Sequence, residues 1–162
     1  LTTPSIEELA RELEALRFDR FDLDVAWRLG CLVREMAEAE ALPVRIELSV
    51  GETVLFATAL PGTSPDNADW IRRKRNAVMR FHRSSLALRL ECEAKGTTLG
   101  ARFGLDERDF VASGGGVPIA TEATGVIGAA VVSGLPDVED HRLMIRAMMM
   151  LIEEQRGAAS SA

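Results

Sequence analysis

Apolar and polar positions change their spacing several times along the chain, and each change marks an element. Ser5-Ile6-Glu7-Glu8 has the serine-to-glutamate spacing of a capping box and opens a helix to about Leu16. Asp22 can cap a second helix ending near Leu42 and Pro43, with Val25, Leu29, Leu32, Val33 and Met36 along one face. Trp27 falls off that stripe, beside Arg34, and suggests a second contact surface. Val44, Ile46, Leu48 and Val50 then alternate with polar residues, the period of a half-buried strand. Gly51-Glu52 fits a two-residue hairpin turn with glycine first, and the second strand runs through Val54 to Leu60.

Beyond the Pro61–Pro65 loop, helical spacing returns near Asp66. It continues through the S-S-L-A-L-R-L region, with a bend near Ser84, and ends before Gly96. Periodicity is weak from there to about Ala112, and Gly104-Leu105-Asp106 reads as the start of a short turn or helix. Val117–Thr121 is a predicted strand, 122–125 a turn, and Val126–Val132 a strand. The last of these is apolar on both faces, so it should be central and covered twice. A final helix is expected from about Pro136 to Glu154, and residues 157–162 read as a flexible tail of small residues. Helices placed between hairpin-joined strands predict an α+β fold: helices on both faces of a mainly antiparallel sheet of about five strands.

The chain has 162 residues, 47% of them hydrophobic and 27% charged, which suits a single domain spanning 1–162 with an N-terminal helix within 1–20. A net charge of −6 argues against nonspecific nucleic-acid binding. No apolar run approaches a membrane span and no signal peptide is visible, so a cytoplasmic protein is expected. Cys31 and Cys92 lie far apart and read as reduced thiols; with only two histidines beside them, no metal site is expected.

The chemistry concentrates in a few words. They are Asp66-Asn67-x-x-Trp70-Ile71-x-x-Lys74-x-Asn76, Ser84-Ser85, Gly114-Gly115-Gly116-Val117-Pro118-Ile119, and Gly128-x-x-x-Val132-Ser133-Gly134-Leu135-Pro136-x-x-Glu139-Asp140-His141. With these, the chain from about Phe21 to Ile152 resembles the haem-degrading domain family of GlcG-like and HbpS-like proteins, in an uncharacterised branch. The resemblance implies a profilin-like three-layer α/β/α fold and a cytoplasmic homo-oligomer. It also implies binding of haem, as possible cofactor, or of another small ligand.

Read residue by residue, Lys74 stands in the middle of an apolar helix face formed by Trp70, Ile71, Ala77, Val78 and Phe81. Either its methylenes lie along the core and its charge reaches an edge, or its ammonium is buried against Asp140, Glu139 or an anionic ligand. His141 shares the apolar side of the last helix with Met144, Met148 and Ile152. It is either a core histidine with one hydrogen bond, or an axial haem ligand or acid–base group; His82 is the other possible haem ligand. Ser133, Asp140 and His141 do not make a triad, because adjacent helical residues diverge by about 100°. Gly114, Gly115 and Gly116 fit a tight bend or a close approach to a ligand.

The last helix is apolar around most of its girth, which suggests cover from a neighbouring subunit and hence a dimer or larger. The function expected is an oligomeric, small-ligand-binding protein. Its site would be built from Trp70, Lys74, Asn76, Gly114, Gly115, Gly116, Ser133, Asp140 and His141, without assigned catalytic residues. A structural adaptor acting through protein contacts is the alternative, and an enzyme using Lys74 or His141 as acid–base group a third reading.

Overall fold

In the computed structural model, which describes residues 2–162, a five-stranded sheet is built in the order β1-β4-β5-β2-β3. The strands are β1 (Arg17–Phe18), β2 (Arg45–Val50), β3 (Thr53–Ala59), β4 (Gly116–Thr121) and β5 (Gly125–Ser133). All neighbours are antiparallel except β1, which pairs in parallel with β4 through Arg17 and Phe18. The helices are α1 (Ile6–Ala15), α2 (Leu23–Ala39), α3 (Pro65–Phe81), α4 (Ser85–Ala94), α5 (Leu99–Phe103) and α6 (Asp137–Ser160).

β5 is the middle strand, and its alternation divides the core. Ala130 and Val132 join Ile46, Leu48 and Val117 under α2 and α6, while Ala129 and Val131 meet Ile71 and Val78 of α3. The strand that is apolar on both faces is therefore covered on both, giving the three-layer α/β/α arrangement of the profilin-like type. The β2–β3 hairpin turns through Gly51-Glu52 with Gly51 at φ +55.

Several boundaries differ from the pattern reading. The long helix expected from Asp66 is two helices. His82 adopts a left-handed conformation (φ 52) after α3, and Ser84 caps α4 by accepting from the Ala87 N–H at 3.2 Å. A left-handed residue cannot carry the helical ladder onward, so the bend becomes a break. Pro65 sits in the first turn of α3, where its missing N–H removes nothing. Gly104 ends α5 in the left-handed region, and the expected short turn follows from Asp106, whose carbonyl accepts from the Asp109 and Phe110 N–H groups at 3.0 Å. The final helix continues to Ser160, past the expected end near Glu154.

The cover of α6 comes from its own chain. Leu143, Met144, Ala147, Met148, Leu151 and Ile152 are all buried in the core shared with α2 and the sheet. The apolar girth of this helix therefore needs no second subunit to account for it. The large apolar side chains left in solvent include Leu23, Trp27 and Met150; Trp27 stands edge-on against Phe56.

Candidate ligand site

Three elements converge beside the carboxyl end of β5. The apolar face of α3 packs on β5, which points Lys74 at the strand's last turn. β5 ends at Ser133, and Gly134 makes the turn with φ +152. α6 then starts, its first N–H bonds made by Glu139 and Asp140 to the Pro136 carbonyl at 2.8 and 3.0 Å. The loop before β4 enters from the side, with Gly115 at φ +123. A side chain at Gly115 would strike the Val132 carbonyl and come within 2.8 Å of the Lys74 ammonium and 3.0 Å of Asp140 Cβ. Glycine is required here both by φ and by space.

Lys74 is 2% exposed and Asp140 1%. Their Nζ and Oδ2 atoms are 3.0 Å apart, and Nζ also donates to the Val132 carbonyl at 3.0 Å. Asp140 is held from its other side: its Oδ1 accepts from the Leu135 N–H at 3.0 Å and its Oδ2 from the Gly134 N–H at 3.3 Å. A carboxylate so placed fixes the turn that follows β5, since two of its backbone N–H groups bind one side chain. Burial dominates the electrostatics of the pair. It pushes Lys74 below the usual ammonium range, against the pull of Asp140, and pushes Asp140 above the usual carboxylate range, against the pull of Lys74.

Over this pair lies a hollow of about 240 Å³. Lys74, Ser133 and Asp140 form its buried end; Trp70, Asp66 and Asp137 stand nearer solvent. Ser133 is only 4% exposed and lines the hollow, and its hydroxyl has no hydrogen-bond partner among the described residues. An ammonium has three donors, and Lys74 gives two of them to protein acceptors. Trp70 Nε1 donates to Asp66 Oδ2 at 3.1 Å, and Arg73 stacks over the Trp70 ring at 4.3 Å. Asp137 accepts from the Gly114 N–H at 3.2 Å and faces Arg89 at 2.7 Å.

The structure thus brings Trp70, Lys74, Ser133 and Asp140 to one hollow, with Gly114 and Gly115 packed behind it. Gly116 lies deeper: its N–H bonds Ser85 Oγ at 2.9 Å, and it begins β4. Asn76 is elsewhere. Two residues past Lys74 the helix has turned about 200°, and the Asn76 amide bonds the Asp109 carbonyl at 2.9 Å on another side of α3. His82 is exposed at the end of α3. His141 is buried under α1, its Nε2 held by Glu12 at 2.7 Å and its Nδ1 without a partner. One step along α6 from Asp140 turns it away from the hollow. The residues that pattern reading passed over are Asp137 and, as site groups in their own right, Asp66 and Asn67 at the start of α3. The D-N-x-x-W word contained the last two, but their roles come from where Ser64 and Pro65 begin the helix.

Haem needs a ligand such as His, Cys, Met or Tyr for its iron, and none of these lines the hollow. Its volume also falls below the roughly 300–1,000 Å³ of drug-sized ligand pockets. This hollow does not fit haem. Larger depressions, about 670 Å³ between α2 and α6 and about 360 Å³ beside α4 and α5, hold none of the expected site residues, and another of about 360 Å³ beside the β2–β3 turn holds Asn76 alone of them. No group of three or more His, Cys, Asp or Glu side chains suited to a metal ion occurs among the described residues. No helix is long and apolar enough to cross a membrane.

The chain is similar to known proteins over nearly its whole length. A UPF0303 protein of Rhizobium rhizogenes is 45% identical over 147 residues, covering 91% of this chain and 90% of the relative. A UPF0303 protein of Azotobacter vinelandii is 43% identical over 150 residues, covering 93% and 90%. Among solved structures, the Ybr137w protein superposes with a TM-score of 0.87 at 27% identity, covering 96% of this chain and 91% of that one. HbpS superposes with a TM-score of 0.65 at 18% identity, covering 94% of each, and so shares the fold. Residues 21–149 match the family described as "Haem degrading protein HbpS-like", and this chain belongs to that family.

Proposed function

We propose that this protein binds a small polar ligand in the hollow above the Lys74–Asp140 pair, and that it works as a homo-oligomer in the cytoplasm. One observation carries the ligand reading: Ser133, a residue only 4% exposed, lines the hollow with a hydroxyl that has no protein partner among the described residues, at the same end as an ammonium with one donor unassigned. A hydroxyl that opens on the floor of a hollow and is not used by the protein is available to a bound molecule. Two donors side by side suit an oxygen acceptor, anionic or carbonyl, on the ligand. Lys74 is already committed to Asp140 and the Val132 carbonyl, which favours binding over acid–base catalysis.

A screen of small polar fragments by NMR tests this reading. Binders should shift the backbone amides of Gly115 and Gly134 in a saturable way, and Ser133→Ala should weaken them about tenfold, the worth of one neutral-to-charged hydrogen bond. A screen in which no fragment moves these amides overturns the site.

The family's description makes haem a second reading. Here it would lie outside the hollow, with the exposed His82 as the iron ligand, because His141 is enclosed by Glu12 and α1. A haemin titration followed at the Soret band decides it: saturable binding lost in His82→Ala but kept in His141→Ala is expected. Absence of saturation in the wild-type protein removes the haem reading.

A further inference from the structure

The hollow has two ends of opposite character, and from this we infer that its ligand is a small zwitterion, bound with its carboxylate inward and its ammonium at the rim. This rests on the small-ligand reading of the same site and adds the class of molecule. At the buried end, the Ser133 hydroxyl and the third Lys74 N–H have no protein acceptor among the described residues and are each available to donate, and the nearest carboxylate, Asp140, already accepts three hydrogen bonds. That end receives an acceptor oxygen.

At the rim the balance is reversed. Asp66 and Asp137 are each bonded through one oxygen only: Asp66 Oδ2 to Trp70, and Asp137 Oδ2 to the Gly114 N–H and Arg89. Both Oδ1 atoms have no partner among the described residues. Lys74 and Asp140 cancel each other's charge, as do Arg89 and Asp137, and Asp66 adds a negative charge at the mouth. A plain carboxylate would satisfy the floor and be repelled at the rim; a plain amine would meet the reverse. Only a molecule with both poles matches both ends. The volume of about 240 Å³ admits a molecule the size of an α-amino acid.

Isothermal titration of the full chain with glycine and L-alanine, and with propionate and ethylamine as the two separated poles, tests the inference. At least one amino acid should bind saturably and about tenfold more tightly than either single-pole analogue. Asp66→Asn, on an exposed first-turn residue, should weaken the amino acid by a similar factor and leave propionate bound at least as tightly as before. Propionate binding as tightly as alanine, or fragments that move the Gly115 and Gly134 amides while neither amino acid does, would overturn the zwitterion and leave the small-ligand site standing. Failure of every compound and fragment to move those amides would overturn both.

Discussion

Lys74 and Asp140 are expensive residues to bury, and each is held in place by the other. Removing one partner leaves an uncompensated charge in the interior, which costs about 3–5 kcal/mol. Lys74→Met should therefore destabilise the fold by that amount at neutral pH, read from urea unfolding. The loss should shrink on acidification. Burial already raises Asp140 above its ordinary range, and losing Lys74 raises it further. A carboxyl group raised in the folded state contributes stability that is complete below its unfolded value and lost as pH rises through its folded value. Lys74→Met/Asp140→Asn should recover much of the loss at pH 7, because Asn removes the uncompensated charge and keeps one oxygen to accept from the Leu135 N–H. A double variant no more stable than Lys74→Met would show that the pair is not the source of the cost. Gly115 makes a separate demand. Gly115→Ala, at φ +123 and against the Lys74 ammonium, should cost at least about 1–3 kcal/mol, seen as a lower melting temperature.

At the scale of elements, what the sequence could tell depended on period. β5 announced its central place by being apolar on both faces, and β2 by strict alternation; both positions follow from burial alone. Lys74 was conspicuous because a cation stood inside an apolar helical stripe, and its partner was narrowed to Asp140, Glu139 or a ligand. β1 has only two residues and thus no period to read; its place beside β4 is decided by tertiary contact. The break after α3 depends on one left-handed residue, His82; the pattern placed a bend nearby, at Ser84, but not the end of the helix. Asn76 and His141 share words with site residues, yet helical rotation carries them to other surroundings. α1 offers a test at this scale. It is tied down by Leu9 against Leu86 and Ala87, and by Glu12 to His141. Glu12→Ala should leave the His141 ring buried without any partner and speed hydrogen exchange through α1, at a cost of about 1–3 kcal/mol. Unchanged exchange in α1 would mean that Leu9 alone holds it.

For the whole molecule, assembly has to be argued from surface, since α6 is satisfied within one chain. Leu23 and Trp27, one helical turn apart on α2, are 71% and 64% exposed, and β3 is an outer strand of the sheet with Val54 in solvent. An unpaired strand edge beside exposed large apolar residues is a natural place for a second copy. Light scattering at micromolar concentration should give at least twice the 17.6 kDa chain mass, and Trp27→Glu should lower it. A monomeric mass for the unaltered protein would remove the homo-oligomer from the proposed function.

The ammonium of residue 74 finds its counter-ion in the last helix, 66 positions downstream. During synthesis, then, every strand of the sheet and all of α3 leave the ribosome before that charge can be neutralised. A nascent chain halted ahead of α6 carries a lone lysine on the greasy face meant for β5, and has no means of sealing it. Prematurely terminated products should accordingly stay open to proteases, so that cells keep only copies translated through to the carboxyl end.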